Sequence, residues 1–323
     1  MRYGCLEAKQ FDERYSIEII DGHSHFGKDG FWPNDGYYKE YLEKCSKIGV
    51  KEVFGMSVPC PVIYDNEGNK TYLSYYVMNR NSIEHYVLKE QKGKQILIPN
   101  LIGINPYKEA NDLMYNLSLK ANNIKFNYVP LIHPKYYSYD DFEDNIKKGA
   151  KMFKIHGIAC GVIPNKIEEE FFRLLEYFKI PIIIHTDYSK EENILSYNNA
   201  MNWLKVLSKY NIKVYLAHAV RLSNEAIDIV NKDDRYVVGL GPDMLLSIPG
   251  QNEQNPINYL DFCFSNFNIN KLIFDIDYPW NTKNPNDFSF DWDSIDRIET
   301  KVSLDEKEKI LSKNIKRFIK ERK

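Results

Sequence analysis

The sequence lacks an excess of either charge, a framework of cysteines and any long hydrophobic segment. Its 43 Lys and Arg nearly balance its 45 Asp and Glu, which argues against binding to nucleic acid or to an anionic membrane. No apolar run approaches the ~18 residues that a membrane-spanning helix needs. Residues 1–16 carry charges throughout and contain no apolar core, so we expect no signal peptide.

Cysteine is scarce and irregularly spaced. The 5 cysteines never form a C-x-x-C pair, which indicates reduced thiols in a cytoplasmic protein rather than a disulfide framework. Cys60 and Cys160 come just after predicted strands, and we interpret both as lining residues rather than nucleophiles. No G-x-G-x-x-G motif follows the first predicted strand, which disfavours an open, doubly wound sheet that binds a dinucleotide.

What the sequence does contain is an alternation of strand-like apolar runs with helix-like amphipathic segments. A first apolar run ends near Phe26, and a predicted helix Tyr37–Ile48 and a buried strand Lys51–Val58 follow it. The alternation resumes at Pro106 and ends with a helix over Leu304–Ile319. Strict alternation implies a parallel sheet covered by helices, and eight units over this length favour an α/β fold of the closed (β/α)8 TIM-barrel type.

The elements predicted after Pro106 alternate without interruption. The strands are Lys125–Ile132, Lys151–Ile155, Ile180–Ile184, Ile212–Leu216, Arg235–Leu240 and Lys271–Ile276. The helices run from Pro106 to about Ala121 and over Asp140–Lys148, Lys166–Phe178, about Ala200–Tyr210, Ser223–Val230 and Pro256–Phe264.

The segment Pro59–Asn105 interrupts the pattern. It contains a predicted helix near Thr71–Glu90 and a ninth strand candidate, Ile96–Ile102, which we expect to lie outside the barrel. Because the segment follows the second strand and is rich in tyrosine, we expect it to cover part of a pocket on the catalytic face or to join a subunit interface. We therefore expect a single barrel domain over residues 1–323, with an insertion at about 59–105.

Histidines mark the ends of the predicted strands. The chain has only 7 histidines, and His23 and His25 end the first strand with both side chains on one side, which suits a divalent metal. Three more histidines and an aspartate follow later strands, namely His156, His185, His218 and Asp277. Each alone is more simply a structural residue of the rim, but together they indicate a site at the carboxyl ends of the strands. We interpret His85, in the middle of the predicted helix, as structural, and find no support for a role of His133.

These motifs resemble the amidohydrolase superfamily, and most closely its amidohydrolase-related, decarboxylase-like group of metal-dependent barrels. The motifs are Asp21-Gly22-His23-Ser24-His25, Phe153-Lys154-Ile155-His156-Gly157, Ile182-Ile183-Ile184-His185-Thr186, Leu216-Ala217-His218 and Asp277-Tyr278-Pro279. The resemblance runs from about Glu18 to Ile319 and includes a similar closing helix. It is specific for the superfamily but not for a substrate.

The resemblance implies a set of site residues. It makes His23, His25, His185 and Asp277 the ligands of one divalent metal ion, for which Zn is the first expectation and Mn or Fe the alternatives. Three histidines and a carboxylate leave room for a water on Zn, whose pKa the metal lowers to ~7. Asp277 then accepts a proton, and His218 polarises the substrate.

The residues around this set leave alternatives open. In two-metal relatives a carbamylated lysine bridges the metals, but the order of Lys154 and His156 resembles the one-metal branch. There we expect Lys154 to contact substrate as an ordinary amine, and His156 to contact either a metal ligand or substrate. Arg221 can bind a substrate carboxylate or form a salt bridge at the start of a helix. Asp275 stands where the family commonly has a glycine, and it is an alternative ligand or a buried partner of Asp277.

Four functions follow from the pattern. The first is a metal-dependent hydrolase of a C–N or C–O bond in a small molecule, and the second is a non-oxidative decarboxylase with the same metal set. A nuclease of the related TatD type is disfavoured, because that group has a glutamate at the fourth strand where Lys154 and His156 stand here. A barrel that binds metal without catalysis is the fourth. We expect a small-molecule substrate, no nucleic acid or membrane partner, and leave a homo-oligomer open.

Overall fold

The structure is a computed structural model of the chain. It describes residues 17–26, 37–47, 49–58, 62–64, 70–72, 85–89, 95–99, 107–160, 162–186, 197–241, 247–248, 257–278, 282–284, 287–290, 298 and 301–320. Cys5, Cys60, the interior of the predicted helix Thr71–Glu90 and most of the loop after Phe26 lie outside these residues.

Parallel strands form the centre of the fold. The strands are β1 (Ile19–Phe26), β2 (Val50–Ser57), β3 (Lys125–Tyr128), β4 (Phe153–Ile155), β5 (Ile182–Ile184), β6 (Val214–Leu216), β7 (Tyr236–Gly239) and β8 (Leu272–Ile273). They pair in chain order, β1 to β3 as one sheet of three strands and β4 to β8 as another of five. The continuous apolar character of β5 to β8 is typical of strands that are buried on both faces.

Backbone hydrogen bonds join the two sheets into a ring. Between β3 and β4, the amide of Lys154 donates to Pro130 O at 2.9 Å, and the amide of Ile132 donates to Lys154 O at 2.9 Å. Between β8 and β1, the amide of Gly22 donates to Phe274 O at 3.0 Å. The expected TIM-barrel architecture is therefore confirmed.

Helices alternate with the strands along the chain. They are α1 (Tyr37–Lys47), α2 (Lys108–Lys120), α3 (Tyr139–Lys147), α4 (Gly157–Cys160), α5 (Glu169–Phe178), α6 (Ala200–Leu207), α7 (Asn224–Lys232), α8 (Tyr259–Asn266), α9 (Leu304–Glu308) and α10 (Asn314–Ile319). A π-helical turn, Lys309–Lys313, joins the last two. Among the described residues, no helix is both long and apolar enough to cross a membrane.

The interior of the barrel is filled by side chains from almost every strand and from the closing helix. The cluster consists of Ile20, Phe54, Met56, Val129, Met152, Ile183, Tyr215, Val237, Ile273, Ile315 and Phe318. Lys213, just before β6, donates to Phe318 O at 2.8 Å, so α10 covers the amino-terminal end of the barrel. The opposite, carboxyl end is left for the polar residues of the strand tips.

The inserted segment differs from the prediction. Lys70–Tyr72 and His85–Lys89 are strands, so the predicted helix Thr71–Glu90 is wrong at both ends and His85 lies on a strand. His85–Lys89 pairs antiparallel with Gln95–Pro99. Its apolar residues are consecutive, and a short apolar run of this kind suits a strand as well as a helix. Residues 95–99 thus lie outside the parallel ring, as expected for Ile96–Ile102.

Several helices begin later than their sequence pattern indicates. The helix predicted from Pro256 begins at Tyr259, because the Asn258 side chain accepts from the Leu260 and Asp261 amides and caps it there. The helix predicted from Lys166 begins at Glu169, after a 3-10 turn over Pro164–Lys166.

Candidate metal centre

The tip of β1 is locked in place by a buried carboxylate. Asp21 accepts hydrogen bonds from Ser24 Oγ at 2.5 Å, from the Ile276 amide at 2.9 Å and from the Tyr41 hydroxyl. Burial raises the pKa of Asp21 to about 6, although these donors act to lower it. The bonds connect β1 with α1 and with the chain after β8, so they fix the direction of the histidine pair.

A glycine allows β1 and β8 to approach. A Cβ at Gly22 would lie 2.8 Å from Ile273 Cγ2 and 3.1 Å from Phe274 O, closer than a side chain tolerates. At the next residue of β1, His23 O accepts a hydrogen bond from the amide of Asp277 at 2.8 Å. Asp277 itself adopts a left-handed backbone with φ of 52°. This turn brings the Asp277 carboxylate back over the end of β1.

Three buried side chains converge at this point. Oδ1 of Asp277 lies 3.6 Å from Nδ1 of His23 and 3.6 Å from Nε2 of His25. One donor atom from each of the three residues lies within 4.8 Å of the others, and within the described part of the chain no other group of His, Cys, Asp and Glu meets this criterion. The structure therefore brings together three of the four predicted ligands.

The donor set fits a divalent ion. Two atoms bound at ~2.1 Å to one tetrahedral ion lie ~3.4 Å apart, near the distances found here. Nδ1 of His25 donates to Ser57 O at 2.9 Å, which leaves its Nε2 lone pair facing Asp277. Nδ1 of His23 is buried and, among the described residues, has no hydrogen-bond partner. Such an atom is costly in a dry interior unless a ligand satisfies it.

His218 lies on the other side of Asp277. Its Nε2 is 3.7 Å from Oδ2 of Asp277 and 3.2 Å from Nδ1 of His185. His218 begins a turn, residues 218–222, in which every residue has a positive φ between 43° and 61°. A left-handed backbone is unfavourable for residues with a side chain, and such strain is found mostly at functional sites.

The fourth predicted ligand lies apart from the other three. The His185 imidazole stacks on that of His156 with ring centroids 4.0 Å apart, while its Nδ1 faces His218. The His156 ring is itself fixed by a hydrogen bond, because its Nδ1 accepts from the Ala159 amide at 3.3 Å. His185 therefore belongs to the same rim but not to the group of three donors.

Lys154 and Arg221 bring positive charge to the rim. Lys154 is fully buried, and its Nζ lies 3.0 Å from Nε2 of His23, on the side of the ring away from Asp277. Burial lowers the pKa of Lys154 to about 8, while the charges of Asp277 and Asp275 raise it. Arg221, half-buried, lies in the left-handed turn after His218.

Burial keeps the imidazoles neutral. It lowers the pKa of His25 to about 3 and is the largest cause of the lowered pKa of His23, with the Lys154 charge second. Burial likewise lowers the pKa of His218 and His185, followed by the Arg221 charge for His218 and by the His156 charge for His185. Neutral imidazoles are the form that binds metal.

Two contributors to the site had no motif to reveal them. Tyr215, inside the barrel on β6, donates to Oδ2 of Asp275 at 2.5 Å. Gly241, with φ of 69°, leaves space for the His218 ring, since a Cβ there would lie 2.8 Å from Nδ1. The only sequence signals were a tyrosine within an apolar strand and two glycines at the end of β7.

Comparison with known proteins identifies the fold. No protein-family model matches the chain, and no curated protein matches it either. Among solved structures, the chain is similar to a probable 2-pyrone-4,6-dicarboxylic acid hydrolase from Acinetobacter baumannii, with 11% identity, 93% of this chain and 98% of that chain covered, and a TM-score of 0.56.

Two further solved structures show the same likeness. One is 5-carboxyvanillate decarboxylase from Sphingomonas paucimobilis, with 12% identity, 94% of this chain and 99% of that chain covered, and a TM-score of 0.57. The other is dihydroorotase from Saccharomyces cerevisiae, with 13% identity, 94% and 84% coverage and a TM-score of 0.58. At these identities the likeness establishes the shared fold, over nearly the whole chain.

Proposed function

We propose that the chain is a metal-dependent hydrolase of the amidohydrolase superfamily, acting on a C–N or C–O bond (amide, lactone or ester) of a small molecule. The observation that carries the proposal is the convergence of His23, His25 and Asp277 at the carboxyl end of the barrel, with donor atoms 3.6 Å apart. His218 beside the same carboxylate adds a group suited to act on substrate.

The proposed ion is a single divalent metal, Zn in the first place and Mn or Fe as alternatives, held by His23, His25 and Asp277. Neutral nitrogen donors and a carboxylate favour these ions over Mg or Ca. We propose His185 as the fourth ligand, which requires its imidazole to leave His218. When bound, such an ion supplies a water of pKa ~7 as nucleophile.

Residues of the chain itself are proposed to transfer the proton, polarise the substrate and bind it. Asp277 is the proton acceptor, because its carboxylate lies between the proposed ligands and Nε2 of His218, 3.7 Å away. His218 orients and polarises the substrate oxygen, and its lowered pKa keeps it a neutral donor. His156, Lys154 and Arg221 are proposed substrate contacts, with the two cations suited to an anionic group.

A metal-dependent decarboxylase is the second candidate. The chain has the fold of 5-carboxyvanillate decarboxylase over 94% of its length, and for this alternative we propose the same three donors as the metal ligands. In this alternative the substrate is an aromatic or unsaturated carboxylic acid, and Lys154 and Arg221 hold the carboxylate. Release of CO2 from a panel of aromatic acids, measured beside hydrolysis of amides and lactones, distinguishes the two reactions.

Metal analysis of the purified protein tests the proposal. We expect about one Zn, Mn or Fe per chain, and expect His25→Ala to lose both metal and activity. His133→Ala is the matched control, because His133 is also a buried histidine but lies in the loop after β3, where its side chain is bonded to the Lys135 amide at 3.2 Å. Metal lost equally from both variants would contradict the assignment.

Three companion measurements separate the proposed roles. His218→Ala should retain metal and lose turnover, and Asp277→Asn should retain much of the metal while turnover falls steeply. His185→Ala should lower metal content if His185 is the fourth ligand. Two ions per chain, together with a carbamate mass on the peptide of Lys154, would replace the one-metal proposal by the two-metal form.

Location, domain organisation and oligomeric state complete the proposed function. We propose a cytoplasmic location, supported by the buried cysteines Cys45, Cys160 and Cys263, whose side chains are thiols and suit a reducing compartment. We also propose that residues 1–323 form one domain and that the insertion at about 59–105 lies on the catalytic face. A homo-oligomer, which sedimentation would reveal, is left open.

A further inference from the structure

A second carboxylate, Asp275, lies beside the proposed metal ligands in a pocket built to hold it. Oδ2 accepts a hydrogen bond from the Tyr215 hydroxyl at 2.5 Å, and Oδ1 accepts one from the Gly241 amide. A Cβ at Gly239 would overlap the carboxylate, so β7 leaves room for it. Residues from β6 and β7 and the loop after β7 thus hold one acidic side chain that is fully buried.

The pocket opens towards His23. Oδ2 of Asp275 lies 3.7 Å from Nδ1 of His23, and the Tyr215 ring contacts the His23 ring edge-on with centroids 6.5 Å apart. The 3.7 Å separation is too long for a hydrogen bond, so the carboxylate acts on this nitrogen through its charge. Tyr215 contacts both groups and fixes their relative position.

We propose that Asp275 is a positioning residue of the metal site: its carboxylate supplies a second negative charge next to Nδ1 of His23 and strengthens the binding of the divalent ion. This inference rests on the proposed function. Through the Gly241 amide, the same carboxylate also anchors the loop on which the His218 ring packs.

The cost of burying a carboxylate favours a role for the charge of Asp275 over a role for its shape. A carboxylate in a dry interior is unfavourable unless a cation or hydrogen bonds compensate it, and an apolar or amide side chain would fill the same space. Coulomb interactions are strong at the low effective dielectric of such a site. Two hydrogen bonds and the nearby charge of Lys154 compensate the Asp275 carboxylate in part, and a divalent ion at the neighbouring donors would compensate it further.

Asp275→Asn separates the effect of the Asp275 charge from the effect of its hydrogen bonds. An asparagine has the same shape and can keep both hydrogen bonds, with its oxygen accepting from the Gly241 amide and its nitrogen donating to the Tyr215 hydroxyl. Tyr215→Phe does the opposite, because it keeps the charge and removes the hydrogen bond. Glu52→Gln is the matched control: Glu52 is also buried but lies near the start of β2, where Asn127 donates to it at 2.6 Å.

The experiment is a Zn titration of metal-free protein against a chromophoric chelator. We expect Asp275→Asn to bind Zn about 10–100-fold more weakly than wild type, as for other groups that contact metal ligands. Tyr215→Phe should lose less, and Glu52→Gln should bind as wild type. Chemical denaturation of each metal-free variant verifies that it is folded.

Two results would overturn the inference. Wild-type Zn affinity in Asp275→Asn would overturn this inference and leave the proposed function standing. An equal loss of affinity in Asp275→Asn and Glu52→Gln would do the same, because a general loss of stability would then explain both losses. Failure of the wild-type protein to bind Zn, Mn or Fe overturns the proposed function and this inference with it. If Asp275→Asn does not fold, Asp275→Ala, which also removes the charge, is titrated in its place, and wild-type Zn affinity in that variant overturns the inference.

Discussion

Gly241 offers a direct test of how closely the loop after β7 supports His218. The perturbation is Gly241→Ala, and Gly149→Ala is its matched control. Both glycines have a left-handed backbone, with φ of 69° at Gly241 and 93° at Gly149. A Cβ at Gly241 would lie 2.8 Å from Nδ1 of His218, whereas nothing lies within 4 Å of one at Gly149.

The two variants should lose similar stability but differ in turnover, because only a Cβ at Gly241 meets the His218 ring. A side chain in the left-handed region costs about 1–2 kcal/mol, so both variants should lose about this much free energy of unfolding. Only Gly241→Ala must also displace the His218 ring, by several tenths of an ångström or more. A displacement near 1 Å in a catalytic group costs on the order of 100-fold in rate.

The assay combines denaturant unfolding, metal content and turnover on a substrate found by screening. We expect Gly149→Ala to be destabilised but fully active, and Gly241→Ala to be similarly or more strongly destabilised, to retain its metal and to lose about 100-fold in kcat. Equal activity of the two variants would refute the placement of His218 against Gly241.

Three further predictions concern stability. Tyr41→Phe removes a buried donor to Asp21 and should lower the free energy of unfolding by about 1–3 kcal/mol in urea; an unchanged midpoint would show that this bond does not hold β1. Gly55→Ala places a Cβ in the Phe126 ring and should lower the free energy of unfolding by about 1–3 kcal/mol, so an unchanged thermal midpoint would argue against this packing. A chelator should lower the apparent stability by about 2.7 kcal/mol relative to protein held at ~100 times the metal Kd, and identical unfolding curves would count against metal binding.

The sequence predicted the positions of site residues correctly where those positions follow from the pattern of a single strand. His23 and His25 stand two positions apart on an extended chain, so their convergence follows from strand geometry alone. The ends of the apolar runs placed His156, His185 and His218 at the same rim of the barrel. The structure confirms that placement, because their rings contact one another or Asp277.

The sequence was misleading where helix and hairpin patterns overlap. Residues 85–89 carry apolar side chains that suit either, and pairing with Gln95–Pro99, a contact distant from the local pattern, determined the strand. The proposed role of His185 also depends on distance across the barrel. In the structure its imidazole lies against His218 and His156 rather than with the three donors.

By itself, the sequence determined the order of strands and helices, the parallel barrel they imply and the identity of the residues at the strand tips, because these depend on periodicity along the chain. Only the tertiary structure decided which tips meet. Asp275 is fully buried because Tyr215 and Gly241 reach it from β6 and from the loop after β7. Those contacts span more than thirty residues of sequence. They arise only when the ring of strands closes, since closure places β8 beside both β7 and β1.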